Sequence, residues 1–305
     1  MSKKSYKEII LSLEKENYKF NYFNTETVGE YLPEDADWNY KDIEHPKLVH
    51  SGFSAIQTFA SEDIACSINL QKIPFLGISL PLLIVNYEYT KFNQTYYTSF
   101  GPYIIFINTI IEKKDSDQTL VRTRYAVGSK SIFRIFHKLI GKILLKNYKT
   151  LMSEDLPMRN RKGLLRKIGH SFYSPKDTYP FNYSEQLNKS NVYLNKKTTN
   201  EITIDKNNFL LSKEGDMLGQ KLGVLSFFVT ENNEKKEIWP TTCSHEGANL
   251  NKKCIKGERI YCPWHNKVTA PLLSIKKDKI EIKNNSDYSI LEEKNSFKIK
   301  YKNIQ

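Results

Sequence analysis

At 305 residues the chain is long for one domain and natural for two, each able to bury its own core. A hydrophobic content of 39% with 12% aromatics excludes a disordered polymer. The formal charge of +12 does not point to nucleic acid, because the excess is mostly Lys scattered among Asn and Glu with no basic run interleaved with aromatics; its positive field suits an acidic protein partner instead.

In chain order, residues 1–13 lack the continuous apolar core of a signal peptide, and Ile9, Ile10 and Leu13 suit a short amphipathic helix. Residues 15–38 are aromatic, polar and turn-rich, with no clean period. The texture then turns to Ile, Val, Thr, Tyr and Phe, which predicts strands over 53–59, 64–70, 82–90, 95–100, 103–111 and 119–127 at meander spacing. The longest apolar run, 73–85, contains Pro74 and Pro81 and is too short and too broken to span a bilayer. Ile132, Phe133, Phe136, Leu139, Ile140, Ile143, Leu144, Tyr148 and Leu151 recur at helical spacing, with Lys and Arg largely on the other side. Residues 171–200 read as a polar linker. Short strands are predicted beyond it, over 202–204, 209–211, 223–229, 236–239, 259–262, 279–282 and 296–301.

The expected organisation is a helix and irregular lead-in over 1–38, a first domain over 39–170, the linker, and a second domain over 201–305. A short helix, a run of antiparallel strands and a long closing helix resemble the helix-grip (START/SRPBCC-like) architecture, which implies a curved sheet around the helix with an apolar cavity between them. The fold class expected is therefore α+β: a helix-grip domain with an antiparallel sheet and a long closing helix, followed by an all-β domain.

The second domain carries Cys243-Ser244-His245 and Cys262-Pro263-Trp264-His265. Two thiolates for one iron and two imidazoles for the other are the ligand set of a Rieske [2Fe-2S] centre. Zinc fingers instead group two Cys together and two His together, whereas here each loop supplies one of each. The remaining Cys66 and Cys254 lie far apart in a chain with no secretory segment, which reads as reduced thiols in a cytoplasmic setting. Cys243-Ser244-His245-Glu246-Gly247-Ala248 with Cys262-Pro263-Trp264-His265 resembles the Rieske domains of ring-hydroxylating and related oxygenases. The disulfide cysteines of respiratory Rieske proteins have no counterpart, and Trp264 stands where the second would be. Asn266 occupies a position where that family usually has Gly.

In the first domain, Asp42, His45 and His50 have the spacing of the mononuclear iron motif of Rieske non-heme oxygenases. Such a centre wants two neutral imidazoles and one carboxylate, leaving cis positions open. Alone, two His five apart are commonly surface or core residues, and on a regular helix they point about 140° apart, so the helix must end, widen or bend between them. Pro46, which lacks an amide donor, contributes to such an irregularity unless it merely occupies the helix's first turn. The buried stripe of the long helix through Ile140, Leu144, Tyr148 and Leu151 continues to Asp155, although Pro157 could instead end the helix there and leave Asp155 as a cap. The segment from Ser153 to Leu156 resembles the family's iron carboxylate segment, with Asp155 as ligand and Glu154 as the alternative.

The resemblance implies a Rieske non-heme iron oxygenase, similar to the ring-hydroxylating α-subunits but with the domain order reversed. Its cofactors would be a [2Fe-2S] cluster on Cys243, His245, Cys262 and His265 and an Fe(II) on His45, His50 and Asp155. Its partners would be O2, a hydrophobic small-molecule substrate and an external ferredoxin or flavin reductase docking at the His245 and His265 edge. The family's homotrimer would place Asp42 as a bridge between His265 of one chain and His45 of the next. A Rieske electron-transfer or ligand-sensing protein without the second iron is the alternative.

Overall fold

In the computed structural model the β-rich stretches of the first half pair into one antiparallel sheet. The structure describes residues 4–42, 45–51, 53–60, 64–72, 79–90, 92–168, 200–232, 235–276 and 279–302. They fall into two units, one ending at Gly163 and the other comprising residues 164–168 with 200–302. The expected linker lies outside the described residues except for Asn200.

The first unit opens with α1 (Tyr6–Lys15), started by a Ser5–Glu8 capping box, and β1 (Tyr18–Gly29). Helix α2 (Pro33–Lys41) and one turn of helix, α3 (Pro46–Val49), follow. Next come β2 (Phe53–Ala60), β3 (Ile64–Lys72), β4 (Ser79–Thr90), β5 (Asn93–Phe100), β6 (Tyr103–Lys113) and β7 (Thr119–Lys130). A 3-10 turn, Ser131–Phe136, leads into α4 (His137–Lys167). The sheet order is β1-β7-β6-β5-β4-β3-β2: the six predicted strands form a meander, and β1 closes on β7.

β1 falls in the stretch with no readable period, for a physical reason. Phe20 is covered on one face by α1, which packs Tyr6 and Ile10 against it, Phe106 and Ala126. Phe23 faces the other way, toward Tyr125, Leu144 and Tyr148. Covering both faces at one end destroys the simple alternation of a half-buried strand. Helix α4 lies on that second face and approaches so closely that a side-chain carbon at Gly141 would meet the Phe23 ring at 2.2 Å. Its core stripe begins at Ile140, while Ile132, Phe133, Phe136 and Leu139, expected on the same stripe, are exposed. Pro157 removes the hydrogen bond to the Ser153 carbonyl but does not end the helix.

The second unit is β-rich. It contains β8 (Glu201–Asp205), α5 (Lys206–Leu211), β9 (Met217–Gly219), β10 (Ser226–Glu231), β11 (Lys235–Pro240), β12 (Ile255–Lys256), β13 (Arg259–Tyr261) and β14 (Val268–Thr269). The series ends with β15 (Leu273–Lys276), β16 (Lys279–Ile282), β17 (Tyr288–Glu292) and β18 (Ser296–Tyr301). Residues 209–211, expected as a strand, belong to α5: Asp205 caps the amides of Asn207 and Asn208 and starts a helix there. The order β16-β15-β11-β10-β9 makes one sheet, β17-β18-β8 a second, and β12-β13-β14 a small third. Phe209, Phe227, Ile238, Leu272, Leu273, Phe297 and Ile299 fill the core.

Candidate metal centres

The two Cys-His segments of the second unit adopt the same main-chain form. The Cys243 amide donates to the Ala248 carbonyl and the Gly247 amide to the Cys243 carbonyl, both at 2.9 Å. The Cys262 amide donates to the Lys267 carbonyl and the Asn266 amide to the Cys262 carbonyl, both at 2.8 Å. The flanking pairs Thr242–Asn249 and Tyr261–Val268 match as well. In each loop the fourth residue after Cys has a positive φ, 83° at Gly247 and 54° at Asn266. Asn is among the few residues that take this conformation readily, so Asn266 holds the same form that Gly247 holds in the other loop.

This form brings the four expected ligands together. The His245 and His265 rings lie 5.1 Å apart at 81°, with both Nδ1 atoms buried. The Cys262 thiol shares a hydrogen bond with Cys243, which brings Cys243 down to about 7 against the opposing effect of burial. Cys262 is pushed up by the same shared proton and by burial. Amides of His245 and Glu246 point at one sulfur and amides of Trp264 and His265 at the other, as hydrogen bonds that favour thiolates. Two thiols and two imidazoles, with amides turned to the sulfurs, fit a [2Fe-2S] cluster. His245 is 8% exposed, so of the expected docking edge His265 is the more open half. Beside the loop, Ser244 donates to buried Asp287 at 2.6 Å, and Lys267 donates to Ser244 at 2.7 Å.

In the first unit, the one-turn helix α3 resolves the awkward spacing of His45 and His50. His45 precedes the helix, Pro46 takes its first turn where no amide donor is needed, and His50 leaves it with extended backbone. Both rings therefore return to one side, 5.1 Å apart at 69°. Asp155, on the buried face of α4, meets both: its Oδ1 is 3.4 Å from His45 Nε2 and 3.5 Å from His50 Nε2. The ligand atoms of His45, His50 and Asp155 all lie within 4.8 Å of one another.

Each imidazole is oriented through its other nitrogen. His45 Nδ1 donates to the Asp42 carbonyl oxygen at 2.8 Å, and a carbonyl can only accept, so the tautomer presents a bare Nε2 when the ring is neutral. The Asp42 carboxylate accepts from the His45 amide at 3.3 Å and stands 3.6 Å from Nδ1. His50 Nδ1 hydrogen-bonds Glu154 at 2.9 Å, and Glu154 also accepts from the Ser51 amide and hydroxyl. Glu154, expected as the alternative carboxylate ligand, lies against His50 Nδ1 and Ser51, while Asp155 faces both Nε2 atoms. His45 Nε2 is buried and faces Asp155 Oδ1 at 3.4 Å without a well-directed hydrogen bond, a position that coordination to a metal would satisfy better.

The charges agree with the geometry. Burial works to lower His45, but the Asp155 and Asp42 carboxylates outweigh it and push the ring up to about 10. His50 is lowered by burial, with His45 as a competing cation. Burial raises Asp155, yet His45, Arg159 and His50 together hold it below the usual carboxylate range. A buried carboxylate between two imidazoles asks for a cation, and His45, His50 and Asp155 offer a divalent metal the two-imidazole, one-carboxylate set.

The residues that hold Asp155 had no motif to announce them. Asn39 Nδ2 donates to Asp155 Oδ1 at 3.4 Å, Arg159 Nε donates to Asn39 Oδ1 at 2.7 Å, and the Arg159 guanidinium stands 3.5 Å from Asp155 Oδ2. Arg159 is fully buried and lies over the Tyr40 ring. On the same helix as Asn39, buried Asp37 pairs with Lys41 at 3.0 Å and accepts from Gln94 at 2.6 Å. The available signal was faint: Asn39 lies three residues before Asp42, and Arg159 lies one turn beyond Asp155.

Residues 200–268 match the family model of the Rieske [2Fe-2S] domain. Among curated proteins, none matches the chain in sequence. Among solved structures, the chain is similar to a protein from Thermus thermophilus, TTHA0849, at 14% identity over 45% of this chain and 95% of that one, with a TM-score of 0.38. It is also similar to a START superfamily protein from Mycobacterium smegmatis, at 14% identity over 43% of this chain and 94% of that one, with a TM-score of 0.34. The chain is thus a helix-grip sheet with a long closing helix, followed by a β-rich unit that carries the match to the Rieske [2Fe-2S] domain.

Proposed function

We propose that this chain is a Rieske non-heme iron oxygenase that hydroxylates or otherwise oxidises a hydrophobic small molecule. The observation that carries the reading is the convergence of His45 Nε2 and His50 Nε2 on one oxygen of buried Asp155, with both Nδ1 atoms already engaged. When loaded, Cys243, His245, Cys262 and His265 would hold a one-electron carrier, and His45, His50 and Asp155 an Fe(II) with open positions for O2 activation. The overall change for a hydroxylation is balanced by two electrons and two protons from an external ferredoxin or flavin reductase: C–H and O2 become C–OH and water. Asp42 and Glu154 set the ring directions, and the Arg159 contact leaves Asp155 Oδ1 as the oxygen facing both rings. Tyr125, Leu144 and Tyr148 pack between sheet and helix, with Tyr148 two turns before Asp155, so the surroundings on that side of the triad are apolar, as the proposed hydrophobic substrate would require. The reading includes a homotrimer, with Asp42 between the cluster of one chain and His45 of the next; a fully active monomer in analytical ultracentrifugation would remove that part.

Metal analysis of anaerobically purified protein tests the core of the reading. It should give about three irons per chain, against about two for an electron-transfer or ligand-sensing protein with the cluster alone. A value of two that added Fe(II) cannot raise would leave the cluster and remove the oxygenase.

A further inference from the structure

The 3-10 turn Ser131–Phe136 and the first turn of α4 present apolar side chains outward. Ile132 and Ile135 are each 77% exposed, and Leu139 is 56% exposed. In a 3-10 turn, residues three apart eclipse, so Ile132 with Ile135 and Phe133 with Phe136 form two outward ridges. The third ridge is the polar one, and it is tied down: His137 is buried, with Nε2 2.7 Å from Ser129 Oγ and Nδ1 3.3 Å from Asn21 Oδ1, and Arg134 donates to Asn21. Tyr103 fixes the turn from the β5–β6 side by donating to the Phe133 carbonyl at 3.3 Å. The turn is therefore held with its polar ridge anchored and its apolar ridges out, the reverse of what a water-facing turn needs.

Along the sequence of this patch and the helix that follows it the charge is of one sign. Between Lys130 and Ser153 the sequence has six basic residues, Lys130, Arg134, Lys138, Lys142, Lys146 and Lys149, and no acidic one. Lys130, Lys138 and Lys142, next to the apolar ridges, are exposed. A second copy of the same patch would meet its own positive charge, and apolar tips ringed by Lys suit an anionic lipid surface. Among the described residues no helix is long and apolar enough to cross a membrane, so the contact would be peripheral.

We propose that Ser131–Phe136 and the start of α4 dock the chain on an anionic bilayer, with Ile132, Ile135, Phe136 and Leu139 entering the headgroup region and Lys130, Lys138 and Lys142 meeting the headgroups. This stands on the patch alone and is independent of the oxygenase reading.

Co-sedimentation of the full chain with vesicles tests it. Phosphatidylcholine vesicles containing phosphatidylserine should carry the protein down, phosphatidylcholine alone far less, and raised salt should release it. The double variant Ile132→Asp/Ile135→Asp should weaken binding on the order of a hundredfold, and Lys138→Glu/Lys142→Glu by about tenfold or more. The positions named for the docking face all lie outside the metal centres, so iron content should not change. Absence of binding to the phosphatidylserine vesicles, or equal binding by the Ile132→Asp/Ile135→Asp variant, overturns the proposal. A variant that changes only the oligomeric state, with vesicle binding untouched, would assign the face to a protein contact and equally overturn it.

Discussion

The loops at Cys243–Ala248 and Cys262–Lys267 take their shape from main-chain hydrogen bonds within each loop, whereas His50 and Asp155 are held by side chains drawn from distant parts of the first unit, and His45 joins them through Asp155 as well as the nearby Asp42 carbonyl. A main-chain loop carries its geometry in a few consecutive residues. A buried side-chain network depends on every member, and each loss leaves an unsatisfied partner behind. The cluster loops should therefore respond to ligand changes and tolerate changes nearby, while the triad of the first unit should respond to both.

The largest effects come from the ligands themselves. Cys262→Ala should abolish the cluster, removing the visible absorption and about two irons, while the Fe(II) proposed for the first unit should stay. Loss of the metal as well would show that the centres are not separable, and the comparison would fail. Conversely, Asp155→Ala should remove about one iron and the turnover, with the cluster's visible spectrum preserved. If that variant keeps both iron content and turnover, the triad is wrong.

Arg159 separates the two kinds of site. Replacing it by Met takes one cationic partner from the buried Asp155 carboxylate and the donor from Asn39, which should cost up to about 3–5 kcal/mol in urea unfolding and weaken Fe(II) binding by roughly 10–100-fold. The charged group beside the cluster loop, Lys267, has a side chain 33% exposed, and Lys267→Met should cost about 1 kcal/mol or less. Equal costs would contradict the distinction between a loop made by main chain and a site made by side chains.

The pH dependence is the next test, and its sign follows from His45. The metal-free folded state holds the ring at about 10, above its ordinary 6.5. That stabilisation is fully present below 6.5 and is lost as pH rises toward 10. A metal must displace the same proton, so Fe(II) affinity should move the other way, rising about tenfold per pH unit through the neutral range. Asp155 does not interfere there, because its lowered pKa confines its effect to acid. Urea midpoints of the metal-free protein and Fe(II) titrations at several pH values should therefore slope in opposite directions. Parallel slopes would mean that the proton on His45 and the metal do not share a place.

What was legible in the sequence divides along the same line. The six strands over 53–127 alternate or run apolar in the usual way, and their pairing follows sequence order. The Cys-His spacings are local, and the four residues they pick out come together in the structure. Helix α2 was not legible, because Pro33, Asp35, Ala36, Asp37, Trp38, Asn39 and Lys41 are all buried and its polar residues are paired inside, so it has no solvent face to give a period. The same burial hid Asn39 and Arg159. Residues 132–139 show the opposite failure: their apolar spacing is real, but spacing alone does not say whether a ridge meets the sheet or the solvent.

The smallest effect concerns the equivalence of Gly247 and Asn266. Both are the fourth residue after a cluster Cys, and both have a positive φ that lets their amide return to the Cys carbonyl. If the main chain alone makes the loop, Asn266→Gly should leave stability within about 0.5 kcal/mol and the cluster spectrum unchanged, because Gly takes this conformation at no steric cost. Asn266→Val should cost about 1–3 kcal/mol, since a β-branched residue is strained at φ 54°. The cost should appear in thermal unfolding and as slower cluster reconstitution, with no change in the first unit's iron. A Val variant as stable as the parent would show that the loop holds its shape by something other than this backbone conformation, and the contrast between the two centres would lose its basis.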